Sequence, residues 1–89
     1  MEFEFDPAKS ASNKDKHGID FVEAHALWLD GGLEVVLSKD RLTSEVRFLA
    51  IGRINRKHWT AICTLRGEAI RIISVRRARK EEVGYYEGE

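Results

Sequence analysis

From Leu33 onward the apolar residues come in four short runs, Leu33 to Ser38, Glu45 to Gly52, Lys57 to Leu65 and Ala69 to Val75, rich in Val, Ile, Phe and Thr. Their length and composition are those of strands, and four in succession commit this half of the chain to a sheet. The last three are joined by short polar breaks, Arg53 to Arg56 and Arg66-Gly67-Glu68. Breaks of that length suit hairpins, so the strands should form an antiparallel meander. Alternation puts Trp59, Ala61 and Cys63 on one face of the third run and His58, Thr60 and Ile62 on the other. One of these faces must meet helices.

The helices precede the sheet. Glu2 to Phe5 alternates polar and aromatic residues, as a short half-buried strand does. Asp6-Pro7 then opens a helix, because Asp caps orphan amides and Pro is tolerated at the first helical position. Gly18 closes it with a left-handed residue. Asp20 and Glu23 have the spacing of a capping box and start a second helix that runs to about Leu29, with Phe21, Ala24 and Trp28 on one face. Asp30-Gly31-Gly32 ends it. A final helix is expected from about Arg79 to Glu87, weakened by Gly84 and by the lack of a capping Ser, Thr, Asp or Asn. The expected fold is a small α+β layer structure, one domain over residues 1–89.

A chain of 89 residues, 43% apolar, supports one core. No apolar run reaches the length of a membrane-spanning helix, and the acidic start Met-Glu-Phe-Glu-Phe-Asp does not resemble a signal peptide, so a cytoplasmic location is expected. Cys63 is the only cysteine. That excludes an intramolecular disulfide and a cysteine-based zinc site, and no histidine or carboxylate motif suggests another metal or a cofactor. Net charge is zero, from 15 basic and 15 acidic side chains, yet residues 1–45 sum to −5 and residues 46–89 to +5. Between Arg47 and Lys80, ten basic residues face the single acid Glu68. This asymmetry points to a polyanion or an acidic partner, or to two halves that neutralise one another.

Two stretches carry candidate chemistry. Lys16-His17-Gly18 ends the first helix, where cations interact favourably with the helix dipole, typically by about 0.3–1 kcal/mol. Consecutive helical residues point about 100° apart, so Lys16 and His17 should not cover the same face. Histidine is also the natural proton carrier near neutral pH. Ile70-Arg-Ile-Ile-Ser-Val-Arg-Arg-Ala-Arg79 brings four arginines and Ser74 to one strand and its end, a plausible phosphate cradle. Strict alternation places Arg71 with Ile73 and Val75, where it needs a partner such as Glu45 or Glu82. Tyr85 and Tyr86 offer stacking surfaces, although one of them should simply pack the last helix. His25 and His58 lack evident partners.

Taken together, Phe3-Glu4-Phe5-Asp6-Pro7-Ala8-Lys9, Asn13, Lys16-His17-Gly18-Ile19, Phe21, Glu23-Ala24, Arg47-Phe48, Ile51-Gly52, Ile70-Arg71-Ile72-Ile73-Ser74, Arg76 and Ala78 resemble the BrnT toxins of bacterial type II toxin-antitoxin systems. The resemblance implies a RelE-like fold, RNA cleavage that stops growth, and neutralisation by a BrnA-like antitoxin with a ribbon-helix-helix DNA-binding domain. DNA would be bound only through the toxin-antitoxin complex. By position it points to Lys16, His17, Ser74 and Arg76, with Lys9, Arg71 and Glu82 behind them; Lys16, His17, Ser74, Arg76 and Glu82 are expected to be catalytic, Lys9 and Arg71 to contact RNA, and Arg66 and Arg77 to attract it by charge. Phe5 replaces a common Trp, and Arg79 replaces a helix-capping hydroxyl.

The chemistry expected is metal-independent transesterification, with His17 as base or acid and Arg76 and Arg71 on the scissile phosphate. Lys9 or Glu82 is an alternative base, should its pKa be shifted. Two rival readings remain. A non-catalytic basic module would lose binding on arginine substitution and nothing on His17→Ala, while a structural protein would show no salt-dependent affinity for RNA. A toxin should also expose an apolar patch or groove beside its basic face for the antitoxin.

Overall fold

The local signals around the first helix act as the sequence implies. In the computed structural model, which describes residues 2–39 and 46–89, Asp6 accepts the Ala8 N–H at 2.9 Å and Pro7 occupies the first turn of α1 (Pro7–His17). Gly18 comes next at φ +79°, and its N–H donates to the Lys14 carbonyl at 2.9 Å. A Cβ at Gly18 would meet nothing within 4 Å, so the backbone angle and not space demands glycine here.

Asp20 and Glu23 form the expected reciprocal cap: the Glu23 N–H donates to Asp20 Oδ1 at 2.7 Å and the Asp20 N–H to Glu23 Oε1 at 2.9 Å. The capped segment, Glu23–Leu29, winds as a 3-10 helix rather than an α-helix. Three residues per turn bring Phe21, Ala24 and Leu27 onto one line. Those three are fully buried, whereas Trp28, expected on that face, is half-buried.

The strands are β1 (Glu2–Glu4), β2 (Glu34–Lys39), β3 (Val46–Ile54), β4 (Lys57–Arg66) and β5 (Ala69–Arg77), followed by α2 (Lys80–Glu87). Glu45, expected to begin the second of the four strand runs, lies outside the described residues. Strands β2 to β5 pair consecutively and antiparallel, but β1 adds to β5 in parallel, with Glu2 opposite Ala69 and Glu4 opposite Arg71. The sheet therefore has five strands and is mixed, in the order β1-β5-β4-β3-β2, where four antiparallel strands were expected. The β1 segment is fixed by its aromatics: Phe3 stacks on His25 at 4.1 Å, and Phe5 meets Phe21 edge-on at 5.7 Å.

Both hairpin breaks are two-residue turns. Asn55 and Arg56 take φ +50° and +70° between the Ile54–Lys57 pair, the left-handed geometry that suits strand twist, and Gly67 takes φ +60° between Arg66 and Ala69.

One irregularity redirects β5. Ser74 lies opposite Ile62, but Ile72 lies opposite Cys63, so Ile73 is an extra residue without a partner. This bulge reverses the alternation. Ile70 and Ile72 before it and Val75 after it all join the core, so Arg71 does not share a face with Val75 as strict alternation requires. The core lies between the sheet and the α1 and 3-10 layer and includes Trp59, Ala61 and Cys63, the expected face of β4. Burial pushes the Cys63 thiol up to about 12, leaving it unreactive. Helix α2 packs on the opposite face, over buried Ile51 and Thr60.

Candidate functional site

The sequence-selected residues fall into two groups on either side of β5. The first is built by Asn13. Beyond Arg71 the outer edge of β5 has no strand partner among the described residues, and the Asn13 amide takes its place. Asn13 Nδ2 donates to the Val75 carbonyl at 2.8 Å, and Oδ1 accepts the Val75 N–H at 3.2 Å. The same Nδ2 donates to the Ile19 carbonyl at 2.8 Å. Asn13 is buried, as is Ser10, whose hydroxyl accepts the Phe21 N–H at 2.9 Å. These contacts hold α1 against the β5 edge.

That docking opens a pocket of about 280 Å³ lined by Lys9, Ser12, Asn13, Lys16, His17, Ile73 and Ser74. Lys9 and Lys16 are seven residues apart and Asn13 and His17 four apart, so they form one helical stripe. Lys16 and His17 thus share the pocket, although adjacent positions were expected to diverge. Three basic side chains share the pocket with two hydroxyls, Ser12 and Ser74, and the bulge residue, with no carboxylate among the lining residues. Such a site favours an anion and holds a proton carrier beside it.

The second group centres on Glu82. Arg76 Nη1 and Nη2 donate to its two carboxylate oxygens at 2.7 and 2.9 Å, the Thr60 hydroxyl donates at 3.0 Å, and the Arg79 N–H donates at 2.8 Å. Glu82 is 4% exposed. The Arg76 guanidinium, against the opposing effect of burial and helped by the Arg79 N–H and Thr60, holds its carboxyl at about 2. The shift runs away from proton transfer near neutral pH, and it fixes α2 without a hydroxyl cap. Arg79 contributes only its backbone N–H to the cap.

The remaining arginines disperse. Arg71 pairs with Glu4 at 2.6 Å, not with Glu82; Glu45, the other expected partner, is outside the described residues. Arg77 lies over the Trp59 ring at 5.5 Å, and its Nε donates to the His58 carbonyl at 3.3 Å. Arg66 is exposed at the far end of β4, away from both groups. His58, without an evident partner in sequence, meets Glu87 at 2.8 Å and the Tyr86 ring at 5.2 Å. Tyr86 is the packing tyrosine: its hydroxyl donates to Asp30 at 2.8 Å, which raises its pKa. Tyr85 is 55% exposed. Burial lowers the pKa of His25, stacked in the aromatic cluster.

Reasoning from sequence missed Asn13 as the residue that sets the pocket. Asn13 stood among the residues that carry the family resemblance, but its one physical signal was a polar side chain on the helix stripe between Lys9 and His17. Among the described residues no three His, Cys, Asp or Glu side chains form a metal-ligand group, and no helix is long and apolar enough to cross a membrane. A family model described as the ribonuclease toxin, BrnT, of type II toxin-antitoxin systems matches residues 5–82. A search of curated proteins gives no match.

Proposed function

The chain belongs to the BrnT family of ribonuclease toxins of type II toxin-antitoxin systems, and on that premise we propose that the pocket between α1 and β5 cleaves RNA without a metal. The observation that carries this reading is the convergence of Lys9, Lys16, His17 and Ser74 in one open pocket lined by no carboxylate. The 2′-OH attacks the adjacent phosphorus, the P–O5′ bond breaks, and the products end in a 2′,3′-cyclic phosphate and a 5′-OH. His17 takes the proton from the 2′-OH or gives one to the leaving O5′, and solvent water makes the other transfer. Lys9 and Lys16 gather the phosphate, and the Ser74 hydroxyl donates to it.

Arg76 stands two residues beyond Ser74, about 7 Å along the strand. Its paired N–H groups are held by the ionised Glu82 carboxylate, which offsets its charge and supports a single remaining N–H as its contact to phosphate rather than a bidentate clamp. Glu82 is then the residue that positions Arg76, not a proton donor. Arg71, Arg77 and Arg66 attract RNA over a wider surface, and the acidic half of the chain keeps that attraction to one side. The family resemblance extends the proposal to a RelE-like fold, a cytoplasmic site of action and a BrnA-like antitoxin with a ribbon-helix-helix domain.

The test is incubation of the purified protein with free RNA in EDTA and analysis of the RNA ends. Cyclic phosphate termini should appear, and His17→Ala should slow their formation by about 10²–10⁴-fold. If folded protein leaves RNA intact, with and without ribosomes, while still binding it in a salt-dependent way, the basic binding-module reading replaces this one.

A further inference from the structure

The α2 face of the sheet carries a second feature that the cleavage pocket does not use. Val36, Leu49, Ile62 and Ser74 are successive cross-strand partners, so they form one row on that face, apolar from β2 to β4 and ending in the Ser74 hydroxyl on β5. At the β2 end of this row an open pocket of about 380 Å³ is lined by Val36, Leu49, Arg76, Arg79, Glu81 and Tyr85, among others. Val36 and Leu49 are half-buried, while Arg79 and Tyr85 are exposed. Among the described residues the Arg79 side chain has no carboxylate partner.

Resting on the cleavage reading above, we propose that this pocket seats a nucleobase of the RNA substrate, stacked on Tyr85 over the Val36 and Leu49 floor, with Arg79 drawing in the adjoining phosphate. Three features favour a base over other occupants. A flat, exposed ring beside an apolar floor suits a neutral aromatic ligand. Glu81 on the wall repels a phosphate yet accepts N–H groups from a base edge. The row leads directly to Ser74, which also lines the cleavage pocket. Three interstrand spacings separate Val36 from Ser74, about 14 Å. The seated base therefore flanks the cleavage position and does not belong to the nucleotide being attacked.

The experiment uses short single-stranded RNAs carrying one base-free nucleotide at each position around the cut, with wild-type, Tyr85→Ala and Tyr85→Phe proteins. Cleavage is read by kcat/KM, and binding by anisotropy on 2′-O-methyl RNA, which cannot be cut. Tyr85→Ala should lower both by about tenfold, the size of one lost stack, while Tyr85→Phe keeps both. Base removal at one flanking position should cost wild type the same factor and cost Tyr85→Ala nothing more. Loss in Tyr85→Phe equal to that in Tyr85→Ala, or additive losses on base removal, would overturn the subsite. So would unchanged RNA binding in Tyr85→Ala with weakened antitoxin binding, which marks a protein-docking face. A wild-type protein that shows the stacking signature in binding but never cuts would sink the catalytic reading and leave the subsite standing.

Discussion

The two helices are fastened to the sheet by opposite means. Helix α1 is held by Asn13, an uncharged amide that completes backbone hydrogen bonds of β5 and Ile19. Helix α2 is held by the buried Glu82 carboxylate and the half-buried Arg76 guanidinium beneath it. The first arrangement involves no charge, and it carries the residues proposed for proton transfer. The second costs desolvation and is stable only while both charges remain.

Removing one charge should break this contrast most severely. Glu82→Ala leaves the Arg76 guanidinium without its carboxylate and is expected to lower unfolding stability by about 3–5 kcal/mol in urea titration. The double replacement Arg76→Met, Glu82→Leu should recover most of that loss, since the stranded charge goes with it. Acid tests the same pair without mutation. Glu82 sits near 2 in the folded protein against an ordinary 4.5, so its stabilisation is present above about pH 4.5 and disappears as pH falls toward 2. The expected loss is about 3 kcal/mol by linkage, and Glu82→Gln should flatten that part of the stability profile.

Asn13→Ala strands the Val75 N–H and carbonyl and should cost about 2 kcal/mol, equally at low and high salt. It should also depress RNA cleavage, because Lys9, Lys16 and His17 lose their seat against β5. Smallest of all is Lys14→Met. The Lys14–Glu23 pair is as short as the Arg76–Glu82 pair, 2.7 Å, but both side chains are about half exposed. Solvent screens it, and its removal should leave the urea midpoint within experimental scatter.

Sequence legibility divides in the same way between local and distant causes. Asp6, Pro7 and Gly18 act within a few residues, and α1 begins and ends where they stand. The Asp20–Glu23 cap is equally local and correctly read, but winding after it is decided by packing, and the 3-10 turn put Leu27 into the core and left Trp28 half-buried against it. The role of Asn13 depends on Val75, 62 residues away. No glycine or proline marks the bulge at Ile73, so the run Ala69–Val75 reads as an uninterrupted strand. That single extra residue misassigned the faces of β5, while the pairing choices of Arg71 and Glu82 were equally invisible. The Lys16-His17 pair and Ser74 were found as types suited to phosphate chemistry, and their meeting required the helix-to-edge contact that Asn13 makes.

The parallel attachment of β1 to β5 also orders events in time during synthesis. Glu2 to Glu4 have their strand partner only once Ala69 to Arg71 have been made, and the pocket side chains on α1 wait as long for Ser74. A growing chain on the ribosome therefore carries its basic helix without the wall that completes the cleft. Such long separations delay assembly to the last stage of folding. The α1 side of the cleft and its β5 wall thus come together only once the residues between them have been made.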